Sequence, residues 1–171
     1  MSLRRASIAY RAFACRRGSA AAEMALVTPL FLILSFGAVD LGNYFLSEHV
    51  VVKAARDGAR YASRRDFTQY SCSTVSTNVR DNTRNLVRTN TLDGTGGARL
   101  VGWTDPSTIT VSVTCNSDPT YRGGIYATKT TGVPVVTVRA AVPYASLFRA
   151  FGFSKLTLTL NASAQAAVVG A

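Results

Sequence analysis

An apolar run near the N-terminus, Ser19–Val39, constrains the fold of this chain more than any other feature. As a helix, its 21 residues would span roughly 31 Å, which matches the hydrocarbon core of a bilayer. The run therefore predicts a transmembrane helix. Pro29 lies inside it, and membrane helices tolerate proline. Its one charged residue is Glu23, although a charged side chain inside a membrane costs roughly 2.5–3.5 kcal/mol on insertion scales.

The positive charge of the chain is concentrated ahead of this run. The net charge is +10, from 19 Lys and Arg residues against 9 Asp and Glu residues. Five arginines precede Gly18 without an acid among them: Arg4, Arg5, Arg11, Arg16 and Arg17. Basic flanks of membrane helices stay in the cytoplasm, so this placement indicates topology and not a nucleic-acid-binding surface. We expect a single-pass membrane protein with a cytoplasmic N-terminus and no nucleic-acid partner.

A secretory signal peptide is the alternative interpretation of this N-terminus. However, the run is longer than a typical signal core, and its small residues, 18–22, precede the apolar core instead of following it. The helical pattern also resumes after Asp40 without a clear cleavage site. We therefore expect one helix over about residues 19–65. Its membrane segment would be 19–39, and 40–66 would be its extracytoplasmic continuation.

Small residues recur every four positions in the outer half of this helix, a spacing that lets another backbone approach closely. The first row is Ala54, Gly58 and Ala62, and the second is Ala55, Ala59 and Ser63. Beside them lies a basic ridge formed by Lys53, Arg56, Arg60 and Arg64. Asp57 offsets only part of the repulsion within this ridge. Arg56 and Arg60 are candidates for contacts with carboxylates of a neighbouring element or subunit, and the alternative is that the ridge is a solvated face.

The rest of the chain, residues 67–171, has the pattern of a small α+β domain. Residues 76–90 have helical spacing with Ser76 or Thr77 as N-cap, which predicts a short second helix. Three later segments have strand patterns: 107–115, 133–144 and 155–168. In the third, the inward residues are predicted to be Leu156, Leu158, Leu160 and Ala162. Strands in series predict an antiparallel meander with one face in water, and the small-residue helix face is the natural cover for the other face.

The fold predicted from the sequence is therefore α+β. A basic leader, 1–18, precedes the long helix of about residues 19–65. The helix continues into a small extracytoplasmic domain with a short helix and a three- to four-stranded antiparallel sheet.

No catalytic, metal or cofactor site is evident in the sequence. The chain has neither a GxxxxGK[ST] phosphate loop nor a G-x-G-x-x-G motif, and one histidine, His49, is too few for a typical zinc site. We expect no enzymatic activity, no cofactor, no metal and no small-molecule substrate. If the domain is exported, Cys72 and Cys115 meet an oxidising compartment and could form a disulfide. The alternative is two separate buried thiols.

A possible processing site, at which another enzyme would cleave this protein, is formed by Gly18, Ser19 and Glu23. A peptidase acting between Gly18 and Ser19 would remove the leading arginines and create an α-amino group, whose reference pKa of about 7.7–8.0 leaves it mostly protonated at neutral pH. In a bundle of such helices, Glu23 of one subunit could pair with the Ser19 ammonium of the next subunit. Alternatively, Glu23 extends to the cytoplasmic headgroups and has no role in assembly.

Three features together resemble the TadE-like and TadG-like proteins: the block Gly18–Glu23, the apolar run with Pro29, and the stretch "AARDGARYA" at 54–62. These families are minor pilins or pseudopilins of the tight-adherence (Flp, type IVb) pilus system. The resemblance is strong over about residues 16–65. It implies cleavage of the leader by a prepilin peptidase and residence in the inner membrane, with the C-terminal domain in the periplasm or outside the cell. It also implies association with other pilin-like subunits and tight-adherence secretion components.

The resemblance therefore implies a non-enzymatic, pilin-like structural component that contributes to pilus assembly and surface adhesion. The alternative is a membrane-anchored extracytoplasmic binding module with an uncleaved anchor. In that case the strand domain and its long loop, 116–132, would bind a surface ligand.

Overall fold

The computed structural model describes residues 19–148 and 158–170. These residues contain two α-helices, which are α1 (Ser19–Ser63) and α2 (Thr77–Thr89). They also contain three strands, which are β1 (Ile109–Asn116), β2 (Val133–Pro143) and β3 (Thr159–Ala167). The predicted α+β class, with a long N-terminal helix followed by a short helix and a small antiparallel sheet, is confirmed.

The chain divides into two compact units, Met1–Gly42 and Asn43–Ala171. The division falls within α1, whereas the boundaries expected from the sequence follow residues 39 and 66. Residues 43–66 therefore group with the sheet. The physical reason is that this part of α1 carries the two rows of small residues, which are buried in the core of the second unit.

The described part of the first unit is an apolar helical segment. Its most apolar window of 18 residues has a mean hydropathy of 2.0, and none of that window is buried. Large side chains along it are open, with Leu26 80% and Leu34 64% exposed. Pro29 lacks a backbone N–H, and the hydroxyl of the preceding Thr28 donates to the carbonyl of Met24 at 2.6 Å. An exposed apolar helix of this length indicates a single-pass membrane anchor.

The second unit is built on a three-stranded antiparallel sheet in the order β1–β2–β3. Val138 of β2 pairs with Val111 of β1 on one side and with Ala164 of β3 on the other. The buried side chains of the inner face are Ile109, Val111, Val113, Val136, Val138, Ala140, Val142 and Leu160. The exposed polar side chains of the other face include Thr110, Ser112, Thr114, Arg139, Ser163 and Gln165. The predicted meander thus has one face in the core and one polar face.

Helix α2 begins and ends where its sequence predicts. The hydroxyl of Ser76 accepts a hydrogen bond from the N–H of Val79 at 3.4 Å, which is N-capping. Asn90 ends the helix in the left-handed conformation, with φ of 65°. Val79, Thr83 and Val87 recur every four residues and are buried, so they form the side of α2 that faces the core.

Three elements approach one another closely at Gly58. A Cβ atom built on Gly58 would overlap Cγ2 of Val87, and it would lie 3.3 Å from Cγ2 of Thr83 and 3.6 Å from Cγ1 of Val138. Gly58 of α1 therefore lies between α2 and β2, where a larger residue does not fit. The other members of the two rows are also buried, namely Ala54, Ala55, Ala59, Ala62 and Ser63. The small residues are used for packing within this chain.

The C-terminal end of α1 is bonded to two later segments. The N–H of Val169 donates to the carbonyl of Ser63 at 2.8 Å, and the hydroxyl of Tyr70 donates to the carbonyl of Ala62. Both carbonyls lie in the last turn of α1, where a helix supplies no further N–H groups to bond its carbonyls. Burial raises the pKa of Tyr70 to about 12, so the phenol keeps the proton that it donates.

The predicted third strand differs from the structure at Leu158. This residue was expected to face inward but is 45% exposed, because β3 begins at Thr159 and Leu158 precedes the first residue of the strand. Its carbonyl accepts from the N–H of Tyr144 at 2.8 Å. Leu156 lies outside the described residues.

The long connection between β1 and β2 contains two short 3-10 turns, Pro119–Tyr121 and Gly124–Tyr126. The hydroxyl of Tyr126 donates to the carbonyl of Val168 at 2.8 Å, and its ring meets Phe67 edge to face. The loop is therefore attached to the C-terminal segment at one point, while Ile125 beside it is exposed.

The packing at Gly58 leads to a stability prediction. Gly58→Ala gains about 1 kcal/mol of helix propensity but forces a methyl group against Val87, and overpacking of this kind costs about 1–3 kcal/mol. Because Val87 is β-branched and has little rotamer freedom in α2, we expect a cost near the upper end of this range and a net loss of up to about 2 kcal/mol in the free energy of unfolding. Urea unfolding of the full chain in detergent, followed by near-UV circular dichroism, measures this change.

Gly97→Ala is the matched control, because a Cβ atom at Gly97 would meet nothing within 4 Å. We expect its unfolding midpoint to equal that of the unmodified chain. Equal midpoints for the two variants would contradict the close packing described at Gly58.

Candidate functional site

The predicted processing site lies at the edge of the described chain. Gly18 lies outside the described residues, and Ser19 is the first residue of α1. Glu23 follows four residues later, about one helical turn, and is exposed in the apolar segment. The cleavage between Gly18 and Ser19 and the pairing of Glu23 with the amine of a neighbouring subunit stay predictions.

The basic ridge is exposed along its whole length. Its members, Lys53, Arg56, Arg60 and Arg64, lie on the side of α1 opposite the buried small residues. The ion pairs within residues 19–148 and 158–170 involve other arginines, so the four cations have no carboxylate partner there. Both interpretations from the sequence, a solvated face or a contact between subunits, are compatible with this geometry.

Asp57 lies next to the ridge in sequence but is bound elsewhere. Its carboxylate accepts from Nη1 of Arg99 at 3.2 Å. Nη2 of the same guanidinium donates to the carbonyl of Leu86 at 3.2 Å and to Oδ1 of Asn90 at 2.6 Å. Arg99 therefore connects α1 to the end of α2. The carboxylate expected to offset part of the ridge charge instead holds two helices together.

Four further carboxylates cap local turns. Asp66, Asp93, Asp105 and Asp118 each accept from a backbone N–H two residues later, at distances between 2.7 and 3.1 Å. The donor residues are Thr68, Thr95, Ser107 and Thr120. The hydroxyls of the same residues also donate, and these hydrogen bonds together lower the pKa of all four carboxyls because they favour the charged form. The largest cause is the hydroxyl for Asp105 and Asp118, and the backbone N–H for Asp66 and Asp93. The four groups are committed to local turn structure.

The structure joins Cys72 and Cys115 by a disulfide bond, across a sequence separation of 43 residues. Cys72 lies in the connection between α1 and α2, and Cys115 is near the end of β1. The bond therefore ties the connection after the long helix to the sheet. The loop that it closes contains all of α2.

The residues that would be needed for catalysis do not converge in the described chain. His49 is exposed on α1. In residues 19–148 and 158–170, no group of three or more His, Cys, Asp or Glu side chains could hold a metal ion. A cleft of about 370 Å³ is lined in part by Leu100, Tyr144 and Leu160, and its charged group is Arg99, which is bound to Asp57.

The part of α1 that carries the glutamate, the apolar segment and the small-residue rows is the part that known proteins match. Residues 18–60 match the family model of TadE-like proteins. The resemblance predicted from the sequence is confirmed over these residues, which are about a quarter of the chain. The TadE-like segment indicates a protein associated with the Tad pilus machinery, and that family consists of structural pilus components. No curated protein and no solved structure matches the chain.

The TadE-like match ends within the second row of small residues and before Ala62. The match therefore covers the predicted processing block, Glu23, Ala54, Gly58 and the two candidate contact residues, Arg56 and Arg60. The sheet, α2 and the disulfide lie outside it.

Two features of the site were missed by reasoning from the sequence. The first is the pair Asp57–Arg99, whose partners are 42 residues apart, and no local pattern indicates it. The second is the set of turn-capping carboxylates, which has a local signal. Each of the four lies in an Asp-x-Ser/Thr tripeptide: 66–68, 93–95, 105–107 and 118–120. That tripeptide is the sequence pattern of a side chain that accepts from the backbone two residues later.

The disulfide is expected to stabilise the domain by closing a loop of 43 residues in the unfolded chain. Replacing both residues, Cys72→Ala with Cys115→Ala, should lower the free energy of unfolding by about 2–4 kcal/mol. The measurement is urea unfolding of the oxidised protein, with a reductant titration of the unmodified chain in parallel.

Cys15→Ala is the matched control, because Cys15 lies in the leader and should leave the midpoint unchanged. The disulfide is contradicted if thiol labelling of the unreduced protein detects three free cysteines, or if the double variant unfolds at the midpoint of the unmodified chain.

Proposed function

We propose that this chain is a non-enzymatic, pilin-like structural component of a tight-adherence type IVb pilus. A prepilin peptidase cleaves it between Gly18 and Ser19. The mature chain stays in the inner membrane or enters the base of the pilus, with its folded domain outside the cytoplasm. There it joins other pilin-like subunits and secretion components and contributes to pilus assembly and adhesion.

The observation that carries this proposal is the coincidence of the TadE-like match with one helix. Residues 18–60 include the candidate cleavage site, and α1 holds Glu23, the apolar segment and the packing rows in a single element. Such a helix provides a membrane anchor before assembly and, through Glu23 and the exposed apolar side chains, a surface for neighbouring helices afterwards. The small-residue rows join the same helix to its own domain.

Charge placement supports the proposed orientation. The five arginines of the leader favour a cytoplasmic N-terminus by the positive-inside rule. A disulfide between Cys72 and Cys115 is compatible with a domain on the oxidising side of the membrane. Both observations support a second unit that lies outside the cytoplasm.

Glu23 is the proposed assembly residue. Cleavage at Gly18 would create an ammonium group on Ser19, and a carboxylate surrounded by apolar side chains is stabilised by a cationic partner. Pairing between neighbouring subunits would satisfy both charges and would fix the axial register of one helix against the next.

The processing step has a direct test. Co-expression with an active cognate prepilin peptidase should yield a mature chain that starts at Ser19, identified by intact mass and N-terminal sequencing. Gly18→Val should block the cleavage, because it puts a β-branched side chain directly before the scissile bond, where the chain has only glycine. An intact leader in the presence of a peptidase that cleaves another substrate in the same cells would contradict the proposal and favour the uncleaved anchored module.

The assembly role of Glu23 is tested by Glu23→Gln, which removes the charge and keeps the shape. We expect normal membrane insertion. The amount of chain recovered with pilus components should fall about tenfold or more, and a tenfold fall corresponds to about 1.4 kcal/mol of lost interaction free energy. Quantitative immunoblotting of membrane and sheared pilus fractions measures both. The control is Glu48→Gln, on the same helix outside the apolar segment, which should assemble normally. Undiminished assembly of the Glu23 variant would remove this role.

A further inference from the structure

We propose that the basic ridge of α1 is a docking surface for a different protein, an acidic subunit whose helix presents carboxylates along one face. The ridge consists of Lys53, Arg56, Arg60 and Arg64. This inference rests on the proposed function, because it names the kind of subunit that the chain meets in the pilus machinery.

The ridge has the geometry of a helix-to-helix contact. Its members are spaced by three, four and four residues, which keeps them on one face of α1. From Lys53 to Arg64 they extend about 16 Å along the helix, at a rise of about 1.5 Å per residue. Three of the four are arginines, whose planar guanidinium groups bind carboxylates through two parallel hydrogen bonds. A row of carboxylates at the same helical spacing would match them.

The ridge is unfavourable for the isolated chain. Like charges three and four residues apart repel, and no acid of α1 relieves this on the exposed side. Asp57 is held by Arg99. Arg65, which follows the ridge, lies over the ring of Tyr61 at 4.5 Å and does not extend it. A partner that brings negative charge would remove the repulsion and gain ion pairs at the same time.

A second copy of this chain is excluded as the occupant by its carboxylates. The chain has nine, and all lie in the described residues. Four are committed to turns: Asp66, Asp93, Asp105 and Asp118. Asp57 and Asp81 are in ion pairs with arginines of the same chain. Glu23 and Asp40 lie in the other unit, beside or within the apolar segment.

Only Glu48 is left on the second unit, and one carboxylate cannot match four cations. Ridge-to-ridge contact between copies would also bring like charges together, which costs free energy. The ridge therefore repels the ridge of a second copy and attracts an acidic partner, so repulsion and attraction both contribute to specificity.

The experiment uses the full chain in cells that assemble Tad pili. A photoreactive benzoylphenylalanine replaces His49, which is exposed one helical turn before Lys53 and leaves all four cations in place. The matched control places the same group at Ser112, on the exposed polar face of the sheet. We expect an adduct with another protein from position 49 only, and mapping should find three or more carboxylates on one helical face of the captured segment.

Charge reversal then tests the mechanism. Arg56→Glu, Arg60→Glu and Arg64→Glu together should lower the adduct yield about tenfold or more, and acid-to-lysine changes in the captured segment should restore it. Arg139→Glu, an exposed arginine on the sheet, should have no effect. An adduct with a second copy, with lipid, or with a segment lacking carboxylates would overturn the inference. So would no adduct, or a yield insensitive to reversal.

The two proposals fail separately in this design. If the chain is cleaved before Ser19 and is required for pili, while reversal of the ridge leaves the adduct unchanged, only the docking inference fails. If the chain is neither cleaved nor required for pili, the proposed function fails, whatever the ridge binds.

Discussion

The packing of α1 against α2 and β2 at Gly58 is the constraint on which the rest of the second unit depends. A glycine there lets the backbone of α1 come within contact distance of Thr83, Val87 and Val138. This close approach lets a sheet of only three strands bury its inner face, because the helix supplies the second layer. A larger residue would separate the layers and expose the core. Outside the core, the Asp57–Arg99 pair joins α1 to the end of α2, and the disulfide ties the connection between the two helices to β1.

The same packing decides which residues of α1 remain for other molecules. Small residues at four-residue spacing are a known means of bringing helices together, and from the sequence alone they could serve contacts within or between chains. In the structure they are buried inside the domain. Contacts of the second unit with other subunits through α1 must therefore use its opposite side, which is the basic ridge.

Elements governed by local periodicity were predictable from the sequence, and pairings between distant residues were not. The apolar run, the N-cap at Ser76 and the alternation of β1 each have a signal within about ten residues. The partner of Asp57 is 42 residues away, and the choice between an internal and an external partner depends on the fold. The boundary after Gly42 lies three residues beyond the end of the predicted membrane segment, and the sequence also suggested the small-residue face of α1 as the cover of the sheet.

The location of the excess charge links these observations. After the leader, Ser19–Ala171 has 14 basic and 9 acidic residues. Apart from the ridge, the ten other bases of this segment nearly balance its nine acids, so its excess charge lies almost entirely on one side of one helix. A solvated surface needs no such concentration, since dispersed charges keep a protein soluble with less repulsion. Removal of the leader would leave the ridge as the dominant electrostatic feature of the chain. Before cleavage, the arginines of the leader would determine membrane topology. After cleavage, the ridge would carry most of the excess charge, and it could select a partner protein by charge complementarity.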